Sequence, residues 1–469
     1  MTLTQMTATE LLDGLEQGRF SALELADALL AQSEKMKSLG GLSHLDADLF
    51  RRQATESDRR RSLGRTLPLD GIPLALKDNI NTCDMPTTSG TGALHNRVPP
   101  CDAEVVSRLR AAGAVLPAKA VMHELAFGIT SNNATTGPAR NPYDPARIPG
   151  GSSGGTATVV AARQFPAGIG TDTGASVRLP AALCGLYGFR PSVGRYPGRG
   201  IIPLSRTRDT AGPMARSLAD IALLDAVMSG QRLPPAETPK PSELRLGVPR
   251  STFWQNLESG VADAAERVLN ELQGAGITLV EVDLAPLLEI NRRVGMPVAQ
   301  YETLQGLPAY LAENGYDISL EDLIQGINSP DVKALFHTMI SSEHAVSEST
   351  YQEALQVHRP LMQRAYADLL QRFQLDGLAF PTSPLTARPI GEDETVELNG
   401  RRIPTFPAYI AHTDLGSNLG APGISLPIGL ASGLPVGLEI EAGIGADEHL
   451  LALCRALDPL LPPTPAPVC

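Results

Sequence analysis

Two short glycine-rich stretches hold the residue types that could do chemistry. The first, Gly150-Gly151-Ser152-Ser153-Gly154-Gly155, runs into Thr156-Ala157-Thr158-Val159-Val160. The second, Gly170-Thr171-Asp172-Thr173-Gly174-Ala175-Ser176-Val177-Arg178, puts Ser176 24 positions after Ser152. A glycine-rich turn that opens a helix can aim backbone N–H groups at a ligand. A serine hydroxyl there is a weak nucleophile until a positioned base takes its proton. Neither stretch contains histidine, so another group must be the base. Lys77 follows the apolar run Gly71–Leu76, upstream of both loops. Lysine takes a proton only when neutral, and its reference pKa is ~10.4. An apolar site built by Ile72, Leu74 and Leu76 would lower that value by penalising the ammonium form. Two serine-bearing loops and a strand-end lysine suggest a nucleophilic hydrolase.

Other readings of these residues are weaker. Ser152 and Ser153 each satisfy the G-x-S-x-G pattern of a nucleophile elbow, which needs a strand directly before it. Ala139-Arg140-Asn141-Pro142-Tyr143-Asp144-Pro145 is no strand. A phosphate loop would need G-K-[ST] after the glycines, and none follows. Lys77, with Asp78 and Asn79 after it, competes as a structural ion pair. His337, His344 and His358 lie in helical sequence with no carboxylate arrangement that suggests a metal. No metal site and no organic cofactor is implied.

The elements that must position these residues alternate in type. Thr7 with Glu10, and Ser21 with Glu24, have capping-box spacing at the start of two helices. From Leu69 to Gly230, short apolar runs (Gly71–Leu76, Ala114–Leu116, Ala167–Thr171) alternate with helical segments, one of them capped by Asp102 and running through Ala112. That alternation predicts an α/β sheet with helices on its faces. Residues 233–243 read as an exposed connection, Leu244–Val248 as a strand, and 258–374 as mostly helical. Strands return at Gly377–Phe380, Ile424–Ile428 and Val436–Ile440, with a helix near Asp447–Leu457.

The totals narrow the function classes. A length of 469 residues with 42% hydrophobic and 19% charged residues supports a well-filled core rather than disorder. The formal net charge of −12 makes nucleic acid a poor partner. The arginines between 51 and 65 alternate with Glu56 and Asp58 and read as a solvated helix face. Five cysteines, odd in number and irregularly spaced, argue against a disulfide framework and for a reducing compartment. With no signal peptide and no apolar run of ~20 residues visible, a cytoplasmic protein without membrane association is expected.

The motifs together make the chain resemble the amidase signature family. Gly71-Ile72-Pro73-Leu74-Ala75-Leu76-Lys77-Asp78-Asn79-Ile80 is similar to that family's lysine motif, and Asn141-Pro142 leads into its double-serine loop. Pro422–Pro427 and Leu434–Leu438 resemble its C-terminal strands. The resemblance implies one domain over 1–469 with a large mixed, mostly parallel central sheet flanked by helices. Its parts would be N-terminal helices at 1–66, a signature core at 67–230 and a helical, pocket-bordering section at 250–374. It implies a triad of Ser176 (nucleophile), Ser152 (held by a cis peptide bond) and Lys77. It also implies an oxyanion hole from the N–H groups of Thr173, Gly174, Ala175 and Ser176, and substrate contacts at Met122, Gly128, Ile129, Thr130 and Ser131. His123 falls in a region that borders the family's pocket, and Asp172 is expected to orient rather than react, with Arg178 and Asp209 as supporting polar contacts.

The expected reaction is hydrolysis of a linear, small, aryl- or apolar-substituted carboxamide through an acyl-enzyme. The family usually has two glycines before the nucleophile; here Ala175 follows Gly174. Gly-Ala-Ser-Val-Arg is similar to the mandelamide and indoleacetamide hydrolase branch. Alternatives are the A subunit of a glutamine-dependent tRNA amidotransferase, a carbamate- or ester-cleaving member, and an inactive scaffold. A small-molecule amide is the expected partner, and a homodimer is the assembly that the resemblance suggests.

Overall fold

The computed structural model describes residues 2–231, 237–341 and 343–468. In chain order the strands are β1 (Leu42–Leu45), β2 (Pro73–Lys77), β3 (Val115–Ala120), β4 (Ala167–Asp172), β5 (Tyr187–Arg190), β6 (Thr210–Ala215) and β7 (Arg245–Val248). They continue with β8 (Thr278–Glu281), β9 (Gly377–Pro381), β10 (Thr395–Leu398), β11 (Arg401–Pro404), β12 (Gly423–Ala431) and β13 (Leu434–Glu441). Eleven form one sheet in the order β1-β3-β2-β4-β6-β5-β12-β13-β9-β7-β8, and β10 and β11 form a separate hairpin.

The sheet is mixed, but it is not mostly parallel. Only β2–β3, β2–β4, β7–β8 and β7–β9 run parallel. The pairs β1–β3, β4–β6, β5–β6, β5–β12, β12–β13 and β9–β13 run antiparallel. The parallel steps need helical crossovers: Glu104–Ala111 joins β2 to β3, and Gly154–Ala161 joins β3 to β4. Where no such helix intervenes, as at the β12–β13 turn, the chain reverses directly. Ser432 and Gly433 supply the positive φ of that turn.

Strands β2, β3, β4 and β6 are buried at every position, because helices cover both faces there. Both capping boxes form, at Thr7/Glu10 and Ser21/Glu24. Asp220 accepts from Ala8 N and Thr9 N and so ties the first of these helices to the helix Leu218–Ser229. Three details differ from the sequence reading. The helix after Asp102 starts at Glu104 with Ala103 as its uncapped N-cap, because Asp102 instead accepts from Cys83 N and Arg110 Nε. The helical section is interrupted by β8, whose Leu279 and Val280 extend the sheet beside β7. Arg60 and Arg61 leave the solvated helix face to meet the buried Asp70. The connection at 233–243 lies partly outside the described residues; within them, 237–243 is largely exposed.

Among the described residues, no helix is long and apolar enough to cross a membrane, and no group of side chains is arranged to hold a metal ion. Cys83, Cys101, Cys184 and Cys454 are free thiols.

The double-serine loop is set by a close approach that only glycine permits. A Cβ on Gly155 would lie 2.3 Å from Val121 O, 2.5 Å from Gly41 O and 2.5 Å from Val121 N, all backbone atoms. The helix N-terminus is therefore pressed against the end of β3. Gly155→Ala should lower unfolding free energy by at least about 2 kcal/mol in urea titration, since backbone cannot yield as a side chain would.

Candidate active site

Parallel pairing brings the sequence-distant groups together at the carboxyl ends of β2 and β4, the usual place for a site in an open α/β sheet. Lys77 is the last residue of β2 and Asp172 the last of β4. Lys77 is fully buried. Its Nζ lies 2.7 Å from Ser152 Oγ, 2.8 Å from Thr171 Oγ1 and 3.3 Å from Thr171 O. Burial pushes its pKa down to about 7, against the pull of Asp172 and Asp209.

The Gly151–Ser152 peptide is cis. The neighbouring serines divide their tasks: Ser152 faces the lysine, whereas Ser153 Oγ donates to Thr171 O and accepts from Thr171 N. Ser153 N donates to Ser176 O at 3.3 Å, so the two serine loops touch directly. Ser176 is 8% exposed and faces a cavity of about 530 Å³.

The loop carrying Ser176 is tied down on its far side. Asp172 accepts from Val177 N and is paired with Arg178 and Arg190, all three side chains buried. Burial alone would raise the Asp172 carboxyl, but the two guanidiniums overcome it and hold the group below the usual carboxylate range. Arg178 also pairs with the buried Glu439 of β13. Thr173 Oγ1 donates to Asp209 at 2.6 Å. Asp209, raised to about 6 by burial, accepts as well from Leu204 N and Ser205 N.

The cavity joins segments that are far apart in sequence. Thr173, Gly174, Ala175 and Ser176 form one wall, and Gly128, Ile129 and Thr130 another. Met296 and Leu335 come from the helical section, whereas Phe406, Pro407 and Ile410 follow the β10–β11 hairpin. Much of the lining is apolar or aromatic, but Arg208, Asp331, Asp393 and Asp414 also reach it, a mix expected of a small-molecule pocket. His123 reaches it too, 3.0 Å from Asp331 Oδ2.

Two residues proposed as substrate contacts sit behind the wall instead. Met122 is buried, with its Sδ beside Ser89 Oγ. Ser131 Oγ donates to Ser152 O and accepts from Gly154 N, so it braces the double-serine loop. Thr171 and the 406–414 segment are site residues that the sequence reading missed. Thr171 stands where a buried run meets the second glycine-rich loop, and nothing in the sequence alone marks it as a partner of the lysine. The alanine before Ser176 fits without strain: Ala175 is not among the positive-φ residues, and it packs with Ile129, Ile148, Leu179 and Leu183.

Comparison with known proteins shows which family the chain belongs to. The family model described as Amidase matches residues 24–451. The chain is 45% identical over 449 residues to an indoleacetamide hydrolase of Agrobacterium vitis, covering 95% of each chain. It is 38% identical over 483 residues to the mandelamide hydrolase of Pseudomonas putida, covering 99% of this chain and 93% of that one. A crystal structure of an amidase superposes with a TM-score of 0.86 at 35% identity, covering 97% of this chain and all of the other. The chain belongs to the amidase family and is an amide-hydrolysing enzyme.

Proposed function

We propose that the protein hydrolyses small aryl-substituted primary carboxamides through an acyl-enzyme on Ser176. The observation that carries this reading is the buried Lys77 Nζ held 2.7 Å from Ser152 Oγ. A neutral amine has two protons and one lone pair. Thr171 Oγ1 and Thr171 O can take the protons, which leaves the lone pair for the Ser152 hydroxyl. Ser152 then receives the Ser176 proton as Ser176 Oγ attacks the carbonyl carbon, and Lys77 becomes the ammonium. Negative charge growing on the carbonyl oxygen is met by the N–H groups of Thr173–Ser176, which act mainly in the transition state. Collapse breaks the C–N bond, and the proton returns through Ser152 to the leaving nitrogen as ammonia departs. Water attacks the acyl-Ser176 ester along the same proton path and releases the carboxylate.

The substrate class rests on the wall chemistry and on the named relatives. Phe127, Ile129, Met296, Phe406 and Ile410 suit an aryl group, and the charged groups of the same lining have partners within the protein: Arg208 with Asp414, Asp331 with His123, and Asp393 with Thr130 and Asn132. A cytoplasmic location and a homodimer belong to the same reading, on composition and resemblance.

Three outcomes are expected. Ser176→Ala should lower turnover of indole-3-acetamide at least about 10⁴-fold with the melting temperature kept, as in other serine hydrolases; near-normal turnover would refute the nucleophile. Because the base works only uncharged, kcat/KM should fall as pH drops through about 7 and level off above it. Activity that instead declines between pH 6 and 8 would remove Lys77 as the base. In an ammonia-release panel, phenylacetamide, mandelamide and indole-3-acetamide should exceed acetamide in kcat/KM by on the order of 100-fold, the worth of one buried ring. Glutamine as the best substrate would favour the amidotransferase reading.

A further inference from the structure

The peptide joining Gly174 to Ala175 is held from a part of the chain far outside the serine loops. Its carbonyl oxygen lies 3.1 Å from Arg178 Nη2 and 3.0 Å from Ser417 Oγ. Ser417 belongs to the helix Asp414–Leu419 and is fully buried. Arg178 Nη2 donates to Ser417 Oγ at 2.7 Å. The same nitrogen also meets Asp172 Oδ1 at 3.1 Å and Thr413 O at 3.2 Å. Two protons on Nη2 cannot serve all four acceptors well, so the serine hydroxyl supplies the missing donor. Its single proton has Gly174 O at 3.0 Å and Thr413 O at 3.1 Å within reach.

A trans peptide carries its C=O and N–H on opposite sides. The Gly174–Ala175 peptide is trans, since Gly151–Ser152 is the cis bond found among the described residues. Drawing Gly174 O toward the buried arginine and serine therefore turns the Ala175 N–H the other way, and Gly174 and Ala175 both line the cavity. We infer that Ser417 is a positioning residue for the oxyanion hole, fixing the direction of the Ala175 N–H by holding the carbonyl of the same peptide. The inference rests on the proposed role of Thr173–Ser176 and identifies a side chain outside that loop that sets its geometry. Without the hydroxyl, Gly174 O would keep only a shared guanidinium proton.

The test compares wild type, Ser417→Ala and Ser417→Thr as full-length proteins. Phenylacetamide serves as substrate and benzylboronic acid as a ligand whose boron becomes tetrahedral on a serine oxygen. In Ser417→Ala, kcat should fall roughly 10- to 100-fold, below the ~10²–10³ loss of a whole oxyanion donor, with KM within about threefold of wild type. The inhibition constant of the boronic acid should rise by the same factor as kcat falls. Ser417→Thr, which keeps a hydroxyl, should recover most of the loss. If the threonine variant does not melt cooperatively, the parallel between kcat and boronic-acid affinity in Ser417→Ala decides the matter. A Ser417→Ala enzyme with unchanged kcat, or one that loses kcat while binding the boronic acid as wild type does, would overturn the inference. Failure of the underlying reading looks different: Ser176→Ala would still turn over, or wild type would not bind benzylboronic acid, and both proposals would fall together.

Discussion

The site depends on an amine buried where water cannot solvate its charged form. Lys77 sits at the end of a strand that is covered on both faces, and that burial lowers its proton affinity. Two carboxylates close enough to oppose the shift, Asp172 and Asp209, are largely engaged elsewhere. Asp172 is paired with Arg178 and Arg190, and Asp209 is occupied by Thr173 and two backbone N–H groups. The structure thus keeps anionic groups near the lysine without committing them to it. A carboxylate aimed straight at Nζ would hold the ammonium form and leave no lone pair for the proposed proton transfer.

The buried ionic cluster has a second consequence. Arg178 reaches Asp172 on β4, Glu439 on β13 and the carbonyl of Gly174, so one guanidinium links two regions of the sheet to the loop carrying Ser176. Buried ion pairs give little net stability, because desolvation offsets their attraction, but removing one partner leaves an uncompensated charge. Such a cluster tolerates few alternative arrangements. That would suit the proposed oxyanion hole, since preorganised donors need no rearrangement when charge develops.

Much of this was legible in the sequence because the key groups sit at ends of elements with strong local signals. Lys77 follows an apolar run bounded by turn residues, and the serine loops are marked by glycines. The parallel share of the sheet was overstated, because helical alternation in the first half does not reveal how β4, β5 and β6 pair. The cavity wall from Phe406 to Ile410 was missed because a short hairpin and a six-residue helix carry too few turns for a period to emerge. Met122 and Ser131 flank residues that do line the pocket, yet they sit behind it. In a loop no fixed repeat tells which neighbour faces inward, and Ser131 has an unusual positive φ. Buried Lys119, bonded to Ile80 O and Thr87 Oγ1, shows that a lysine in an apolar run can also be a structural donor. What separates Lys77 from it is the serine beside the amine.

The most direct measurement is the protonation state of that amine in the resting enzyme. The chain has six lysines, so a ¹⁵N-lysine-labelled sample gives few side-chain signals, and Lys77→Arg identifies the one in question. The account predicts that the Lys77 Nζ resonance titrates near pH 7, more than two units below an ordinary lysine. A signal that stays in the ammonium form up to pH 9 would contradict it, because no neutral base would then stand beside Ser152 at the pH where the enzyme must work.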